Sequence, residues 1–206
     1  MNMVEKWNRY LKIPVKCNIP CLHIGTLNGL KSLILVLAYG CEYNNTTEPL
    51  RIPYYDFKQL FNSYKSKQPS YIKKTINHML DENNCWLLKY ADIKVRDKYV
   101  EVMYKKAIVD TSSKYKISLE DVAKFDRTFG LRMYLVYRQN RYKISKHGKG
   151  GFRYTNRDFM FFCGCINKKS VYTMLKRCNN TFQNITGVGI DITKDMKDEY
   201  WTIRYV

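Results

Sequence analysis

The stretch Asp97–Tyr104, with the sequence DKYVEVMY, decides the fold because a second stretch about 100 residues later repeats its pattern. Asp198–Tyr205 reads DEYWTIRY, and both stretches mix apolar and polar residues in the alternation of a half-buried β-strand. Upstream, nearly the same offset relates Tyr54 to Tyr154. Similar residues recurring in the same order at a fixed spacing indicate that one structural module occurs twice.

Each half also has the same predicted order of elements, namely a helix, a short strand, two helices and a two-stranded hairpin. A helix-turn-helix followed by a β-hairpin is a winged helix, in which the second helix of the pair faces the major groove of DNA. We therefore predict an α+β fold of two tandem winged-helix domains. The first comprises residues 1–110 with an extended N-terminal arm, the second comprises residues 111–206, and the polar stretch Val109–Lys116 separates them.

Capping and stop signals predict where the helices of the first half begin and end. Thr26 or Asn28 can cap the first helix, and Gly40 lies where that helix is expected to stop. Asp56 lies near the expected cap of the second helix. Ser70 can cap the third helix, as its counterpart Ser170 marks the equivalent helix of the second half.

The remaining predicted boundaries concern the first hairpin and the helices of the second half. The strands of the first hairpin are expected at Trp86–Tyr90 and Tyr99–Tyr104. In the second half, a helix is expected over Arg127–Tyr142, followed by a glycine- and lysine-rich loop over Lys143–Gly151. The helix expected to face DNA covers Asn167–Asn180.

The charge of the chain predicts a polyanionic partner. Its 36 Lys and Arg residues outnumber 18 Asp and Glu residues, which gives a formal net charge of +18. Residues 1–110 hold 17 basic and 10 acidic side chains, a net charge of +7, while residues 111–206 hold 19 and 8, a net charge of +11. Double-stranded DNA is the expected partner. The alternative is that the charge only keeps the protein soluble or reflects a proteome that is basic throughout.

The expected DNA contacts of the second domain lie mainly on its recognition helix, because Lys168–Asn180 contains no acidic residue. The candidates there are Lys168, Lys169, Tyr172, Thr173, Lys176 and Arg177. The equivalent candidates in the first domain are Lys67, Gln68, Ser70, Lys73, Lys74 and Asn77. The recognition helix of the first domain ends in Asp81 and Glu82, so a merely solvated polar face is an equal alternative there.

Basic residues outside the recognition helices predict additional phosphate contacts. Lys146, Lys149 and Arg153 belong to the most basic short tract, which we expect to lie along the DNA backbone. Lys194 and Lys197 of the second hairpin are expected to contribute less, because acidic residues adjoin them.

No catalytic site, metal site or cofactor is predicted from the sequence, and we expect the protein not to be an enzyme. The three histidines, His23, His78 and His147, are far apart, and no Walker, GxSxG or HExxH motif occurs. Seven cysteines without an export signal indicate reduced thiols in the cytoplasm. The longest apolar run, Leu33–Ala38, is too short to span a membrane, so no membrane partner is expected.

One segment resembles a known family. Ile117–Leu119 and Lys124–Tyr134, the latter reading KFDRTFGLRMY, resemble the opening of the second winged helix in the iteron-binding replication initiators of plasmids and some phages. The resemblance implies binding to direct repeats at a replication origin. It also implies a homodimer formed through the first module, partners among host replication proteins, and iteron contacts by the second module's recognition helix, at Lys168, Lys169, Tyr172, Thr173 and Lys176.

Sequence and resemblance together predict a sequence-specific double-stranded DNA-binding protein that initiates plasmid or phage replication. A transcriptional regulator of a mobile element is the alternative, because it would use the same fold. A nicking nuclease is less favoured, because the metal-ligand cluster that it would need is not evident in the sequence. A scaffold built on winged helices is disfavoured by the net charge of +18.

Overall fold

The structure, a computed structural model, describes residues 10–14, 25–42, 48–61, 68–81, 86–89, 91–105, 114–147, 151–155, 159, 168–195 and 200–206. The chain divides into two compact units, Met1–Asp126 and Arg127–Val206. The first unit ends later in the chain than residue 110, where the sequence predicted the boundary.

The first unit contains a three-stranded antiparallel sheet, a two-stranded ribbon and four helices among its described residues. In chain order these elements are β1 (Tyr10–Pro14), α1 (Leu27–Glu42), β2 (Leu50–Pro53), α2 (Tyr54–Leu60), α3 (Pro69–Asp81), β3 (Ala91–Val95), β4 (Tyr99–Tyr104), β5 (Lys114–Ser118) and α4 (Leu119–Lys124). The sheet has the order β2-β4-β3, and the ribbon pairs β1 with β5. β1 lies within the predicted extended N-terminal arm.

The second unit repeats the core of this arrangement. Its described elements are α5 (Thr128–His147), β6 (Gly151–Thr155), α6 (Lys168–Thr186), β7 (Ile190–Asp195) and β8 (Tyr200–Tyr205). Its sheet has the order β6-β8-β7, so the last strand in the chain again lies in the middle. The prediction of two winged-helix modules with separate sheets is confirmed.

The two central strands show how closely the modules correspond. Tyr99–Tyr104 and Tyr200–Tyr205 have the same alternation of buried and partly exposed residues, as the sequence repeat predicted. Each strand ends on a buried tyrosine whose hydroxyl donates to a backbone carbonyl of the first helix of its unit. Tyr104 donates to the Val36 carbonyl, and Tyr205 donates to the Met133 carbonyl at 3.3 Å.

Strand and helix registers correct the residue equivalences that the sequence predicted. Ile52 pairs with Val100, and Tyr154 pairs with Trp201, so Tyr154 is the counterpart of Ile52 and not of Tyr54. The predicted match was therefore wrong by two residues. A shift of two residues keeps every side chain on the same face of the strand, so the alternation of polar and apolar residues does not reveal it.

The recognition helices are offset by one residue from the predicted match of Ser70 with Ser170. The buried positions Ile72 and Met79 of α3 correspond to the buried Val171 and Cys178 of α6. In this correspondence Ser70 is the counterpart of Lys169. It also makes Lys73 the counterpart of Tyr172.

Lys31 explains why α4 belongs to the first unit. Its side chain is fully buried in α1, and its Nζ donates to the Leu60 carbonyl at 2.9 Å and to the Ala123 carbonyl at 3.0 Å. Leu60 ends α2, and Ala123 lies in the last turn of α4, so the ammonium sits at the negative ends of two helices. Together with the pairing of β1 and β5, this contact holds residues 114–124 in the first unit.

Two predicted helix signals of the first unit have other roles. Gly40 does not stop α1 but lies within it, where an added Cβ would come within 2.5 Å of the Tyr104 ring. Asp56 does not cap α2 but is buried in its first turn and accepts a hydrogen bond from the Tyr39 hydroxyl. The Gly40 prediction was wrong because packing against the Tyr104 ring determines this position, whereas Asp56 lies near the start of α2 as predicted.

Several predicted boundaries of secondary structure were also wrong. Trp86–Lys89 is a 3-10 turn, and the first hairpin is formed by β3 and β4 around a tight turn at residues 96–98. Ser70 is not a cap, because α3 begins one residue earlier at Pro69, whose fixed φ suits a first helical position.

The two long helices of the second unit both extend beyond their predicted ends. The helix α5 continues to His147, past the predicted end at Tyr142 and into the expected loop. The helix α6 continues past Asn180 to Thr186 and stops at Gly187, which has a φ of 72° and donates its N–H to the Gln183 carbonyl. Among the described helices, none has the length and apolar character needed to cross a membrane.

Candidate nucleic-acid interface

The exposed face of α6 holds most of the predicted DNA-contact residues of the second unit whose side chains the structure describes. Its side chains project at the spacing of one helix face, and those exposed are Tyr172, Thr173, Lys176, Arg177, Asn180, Gln183 and Asn184. The helix contains no acidic residue along its whole length. Tyr172, Thr173, Lys176 and Arg177 are therefore placed on one surface, as the sequence predicted. Lys168 and Lys169 form the first turn of α6, and their side chains lie outside the described residues.

Aromatic packing fixes the orientation of this face. On the buried side of α6, the Phe182 ring stacks on Tyr205 at 5.9 Å and meets Tyr137 edge-on at 5.6 Å. On the exposed side, the ring of Tyr172 lies 5.6 Å from the buried ring of Trp201. The Tyr172 side chain is 49% exposed, although its ring contacts Trp201 of the sheet. A ring held in this way loses little conformational freedom on binding a ligand.

A hydrogen bond also ties α6 to the hairpin. The Asn179 side-chain oxygen accepts from the backbone N–H of Ile190 at 2.9 Å. This bond anchors the first residue of β7 to the recognition helix. The recognition helix and the hairpin of the second module are therefore in direct contact.

The corresponding face of α3 in the first unit has mixed charge. Gln68, Ser70, Lys73, Lys74 and Asn77 are exposed, as predicted, and Lys67 lies outside the described residues. The Nζ of Lys73 forms an ion pair at 3.6 Å with Asp97, which lies at the tip of the hairpin. Asp81 lies on the same surface at the end of α3.

A groove runs beside α3 in the first unit. It has a volume of about 890 Å³ and lies between the first turn of α1 and the exposed side of the recognition helix. Tyr71 crosses the groove, and its hydroxyl accepts from the Asn28 side chain at 3.2 Å. Lys73, Lys74 and Asp81 line the rim, so both signs of charge occur there.

The predicted phosphate contacts outside the recognition helices are only partly described. Lys146 lies in the last turn of α5 and not in a loop, while Lys149 and Lys197 lie outside the described residues. Arg153 is exposed on β6. Lys194 lies within β7, paired with Trp201, and is partly exposed.

Two contacts between an arginine and a tyrosine were not predicted from the sequence. The guanidinium carbon of Arg51 lies 5.2 Å from the centre of the Tyr99 ring, and that of Arg153 lies 4.3 Å from the centre of the Tyr200 ring. The partners come from different strands. Only the strand register brings them together, so no local sequence signal marks them.

The titratable groups with shifted pKa values are structural. Burial lowers the pKa of Lys31 to about 8, against an opposing effect of Asp126. Burial also raises the pKa of the Tyr205 hydroxyl well above its usual value. Within the described residues, no cluster of three or more His, Cys, Asp or Glu side chains could hold a metal ion.

Two winged helices in one chain, each with a recognition helix and a hairpin, define the class as a tandem winged-helix protein. Residues 25–137, more than half of the chain, match the family model described as "Initiator Replication protein, WH1". The chain therefore belongs to this family of replication initiator proteins.

A solved structure shares the whole architecture. It is described as "Crystal structure of Pi initiator protein in complex with iteron DNA", and it matches with a TM-score of 0.59 at 12% identity over 96% of both chains. At this identity the likeness establishes a common fold. A comparison with curated protein sequences gave no match.

Proposed function

We propose that this replication initiator binds double-stranded DNA sequence-specifically, at direct repeats in a plasmid or phage origin. The observation that carries the proposal is the exposed face of α6, which is basic, free of acidic residues and packed against the hairpin. The Pi initiator, whose fold this chain shares, was solved in complex with iteron DNA. Transcriptional regulation from a single operator is the second candidate, and membership of the initiator family favours the first.

In the proposed complex α6 enters the major groove. Tyr172 and Lys169 are assigned to base edges, whereas Lys176 and Arg177 reach bases or flanking phosphates. Lys146, Lys149 and Arg153 are assigned to phosphates only. The exposed polar residues of α3 add weaker contacts, because Asp97 and Asp81 reduce the positive potential there.

The remaining parts of the proposal concern partners and chemistry. We propose that a homodimer and host replication proteins take part at the origin, that the protein acts in the cytoplasm, and that it has no catalytic step or cofactor of its own. Supercoiled plasmid carrying the binding site should stay supercoiled after incubation with the protein and Mg²⁺. A protein-dependent nick that survives further purification would contradict the last point.

The test of DNA binding starts by selecting bound duplexes from a random-sequence library with the full chain. One motif should emerge, and affinity for it should fall with salt at a slope of about −0.9 per phosphate neutralised. With roughly six to ten phosphate contacts, binding should weaken by about 10³- to 10⁵-fold between about 50 and 200 mM salt.

The outcomes separate the candidate functions. Direct repeats of the selected motif beside the gene support an initiator, and a single copy overlapping a promoter supports a regulator. Salt-insensitive binding, or no duplex binding at low salt, would overturn DNA binding itself.

A further inference from the structure

The C-terminal half of α6 exposes amide side chains instead of charged ones. Asn180, Gln183 and Asn184 are exposed there. The stretch Asn179–Thr186 contains no charged residue, although charged residues make up 26% of the chain. The counterpart of Asn180 in α3 is Asp81, so the first module does not share this uncharged position.

The fold accounts for other polar residues of this stretch but not for these three. Asn179 accepts a hydrogen bond from the Ile190 N–H at 2.9 Å. The Thr186 hydroxyl donates to the Phe182 carbonyl at 2.8 Å. Within the residues that the structure describes, the three exposed amide side chains form no hydrogen bond or ion pair. Asparagine is a weaker helix former than lysine, arginine, glutamate or glutamine, so a surface that only contacts water gains nothing from asparagine at two positions.

The three amides lie on the same face of α6 as Tyr172 and Lys176. From Tyr172 to Asn184 the exposed residues recur three or four positions apart, which is the spacing of one helix face. The opposite side of the helix packs on the sheet, where the Phe182 ring stacks on Tyr205. At 1.5 Å per residue the exposed face is about 18 Å long, the length of about five base pairs. A duplex whose major groove follows the axis of α6 therefore lies opposite the amides as well as opposite the basic residues.

Neutral amides suit base edges better than they suit phosphates. The C-terminal end of a helix carries a partial negative charge, which disfavours phosphate, and an uncharged side chain releases no counterion when it contacts DNA. An Asn or Gln amide has both a donor and an acceptor, and it pairs with the N6 amino group and N7 of adenine in the major groove. Lysine and arginine only donate, and they pair with guanine. The two halves of α6 are therefore suited to different bases.

We propose that Asn180, Gln183 and Asn184 form an adenine-reading surface in the major groove, beside the basic surface of the N-terminal half of α6. This inference rests on the proposed DNA binding and adds three specificity-determining residues to it. It implies that the bound motif contains A·T pairs beside the segment that Tyr172 contacts. The amides raise the affinity for this motif without raising the affinity for DNA in general.

The first experiment selects bound duplexes from a random-sequence library with two full chains. One is the wild type, and the other is the triple variant Asn180→Ala, Gln183→Ala and Asn184→Ala. The wild type should select a motif with adenines that the triple variant no longer selects, while the other preferences remain. If both chains select the same motif, the inference is overturned.

Affinity measurements then separate base reading from backbone contact. Each of the three single alanine changes should weaken binding to the wild-type motif about five- to 150-fold. Binding to scrambled duplex should change less than about twofold, and the salt slope should stay the same, because no charge is removed. Equal losses on both duplexes would show contact with the backbone and overturn the reading role.

Thr181→Ala is the matched control for these variants. Thr181 follows Asn180 in the helix but lies about 100° away from it around the helix axis. It is only partly exposed. The change should leave the affinity for both duplexes within about twofold of the wild type.

A change on the DNA tests the contact itself. Replacing a selected adenine by 7-deazaadenine removes the N7 acceptor and leaves the base pair intact. The replacement should weaken binding of the wild type. It should have little further effect on the variant that lacks the amide for that adenine, because both changes remove the same contact. Additive losses with all three variants would contradict direct reading.

Thermal unfolding separates binding from folding, because alanine is a stronger helix former than asparagine. Asn180→Ala and Asn184→Ala should unfold at the temperature of the wild type or higher, although they bind the motif less tightly. A loss of stability that accompanies the loss of affinity would indicate a structural role and overturn the inference. A wild-type chain that selects no motif would overturn the proposed function as well, whereas an unchanged triple variant would leave the proposed function intact.

Discussion

The recognition helices of the two modules are supported by the same architecture but present different surfaces. The helix α3 carries Lys73, which is paired with Asp97, and ends at Asp81. The helix α6 contains no acidic residue and exposes Tyr172 at the position that corresponds to Lys73. Burial constrains the positions that pack on the sheet, whereas the exposed positions are free to diverge. The difference motivates the proposal that the second module reads the DNA sequence while the first adds weaker, non-specific contacts.

The largest expected difference between the modules concerns the stability of the first unit. Folding lowers the pKa of Lys31 from 10.5 to about 8, because burial disfavours the ammonium. Between these pH values the unfolded chain holds a proton that the folded chain has released. The contribution of Lys31 to stability is therefore present above pH 10.5 and is lost as the pH falls through 8, with a total of about 3 kcal/mol.

Hydrogen exchange of α1 and α6 amides between pH 8 and pH 10.5 would measure this effect in each unit. The free energy of opening of α1 in the wild type should rise with pH relative to that in Lys31→Met, which has no group that titrates there. For α6, the difference in the free energy of opening between the wild type and Lys31→Met should not change with pH. If the free energy of opening of α1 depends on pH in the same way in the wild type and in Lys31→Met, the effect cannot be assigned to Lys31.

The second expected difference is in sequence-specific binding. Tyr172→Ala should lower affinity for the selected motif by about 1–3 kcal/mol and leave non-specific binding largely intact, because the ring is assigned to base edges. Lys73→Ala, the matching change in the first module, should cost less than about 0.5 kcal/mol, because Asp97 already offsets its charge. Competition titrations against scrambled duplex would measure both.

Two controls complete this comparison. Tyr172→Phe keeps the ring on Trp201 and isolates the hydroxyl, and Lys149→Ala should weaken binding to all sequences about equally. If Tyr172→Ala and Lys73→Ala lower the affinity for the selected motif equally, the proposal that mainly the second module reads the sequence is wrong.

The smallest expected effect concerns how the last tyrosine packs in each unit. Tyr104 packs against Gly40, whereas Tyr205 packs against Tyr137 with ring centres 5.3 Å apart. Gly40→Ala should destabilise the first unit by about 1 kcal/mol or more, because the added methyl group would overlap the Tyr104 ring. Helix propensity alone predicts a gain of about 1 kcal/mol, so the sign of the change decides which effect is larger.

Chemical denaturation of Gly40→Ala, with and without Tyr104→Leu, would test this prediction. In the Tyr104→Leu background, Gly40→Ala should cause much less destabilisation. A stabilised Gly40→Ala single variant would contradict the packing explanation.

The sequence predicted those features of the fold that depend on local pattern. The alternation in Tyr99–Tyr104 and Tyr200–Tyr205 identified the central strands, and the apolar spacing of α3 and α6 identified the recognition helices with their exposed faces. These signals survive because a strand or helix face is defined by residues close in the chain.

Features that depend on long-range contacts could not be predicted. Gly40 resembles a helix stop in the sequence, and only the Tyr104 ring explains its place inside α1. Lys31 resembles a surface lysine, although it joins α2 and α4 to α1, so no local sequence signal shows that residues 114–124 pack with the first unit. The arginine–tyrosine pairs likewise require the strand register, which a shift of two residues changes without altering the pattern.

The strand order has a consequence for how the protein is made. In both sheets the central strand is the last to be synthesised, so β2 and β3, or β6 and β7, have no partner in their sheet until β4 or β8 emerges. A nascent chain that stops before residue 99 holds two strands with unpaired edges and no sheet. Each module is therefore expected to fold in one late step during translation, and a ribosome stalled before either central strand would expose an aggregation-prone chain.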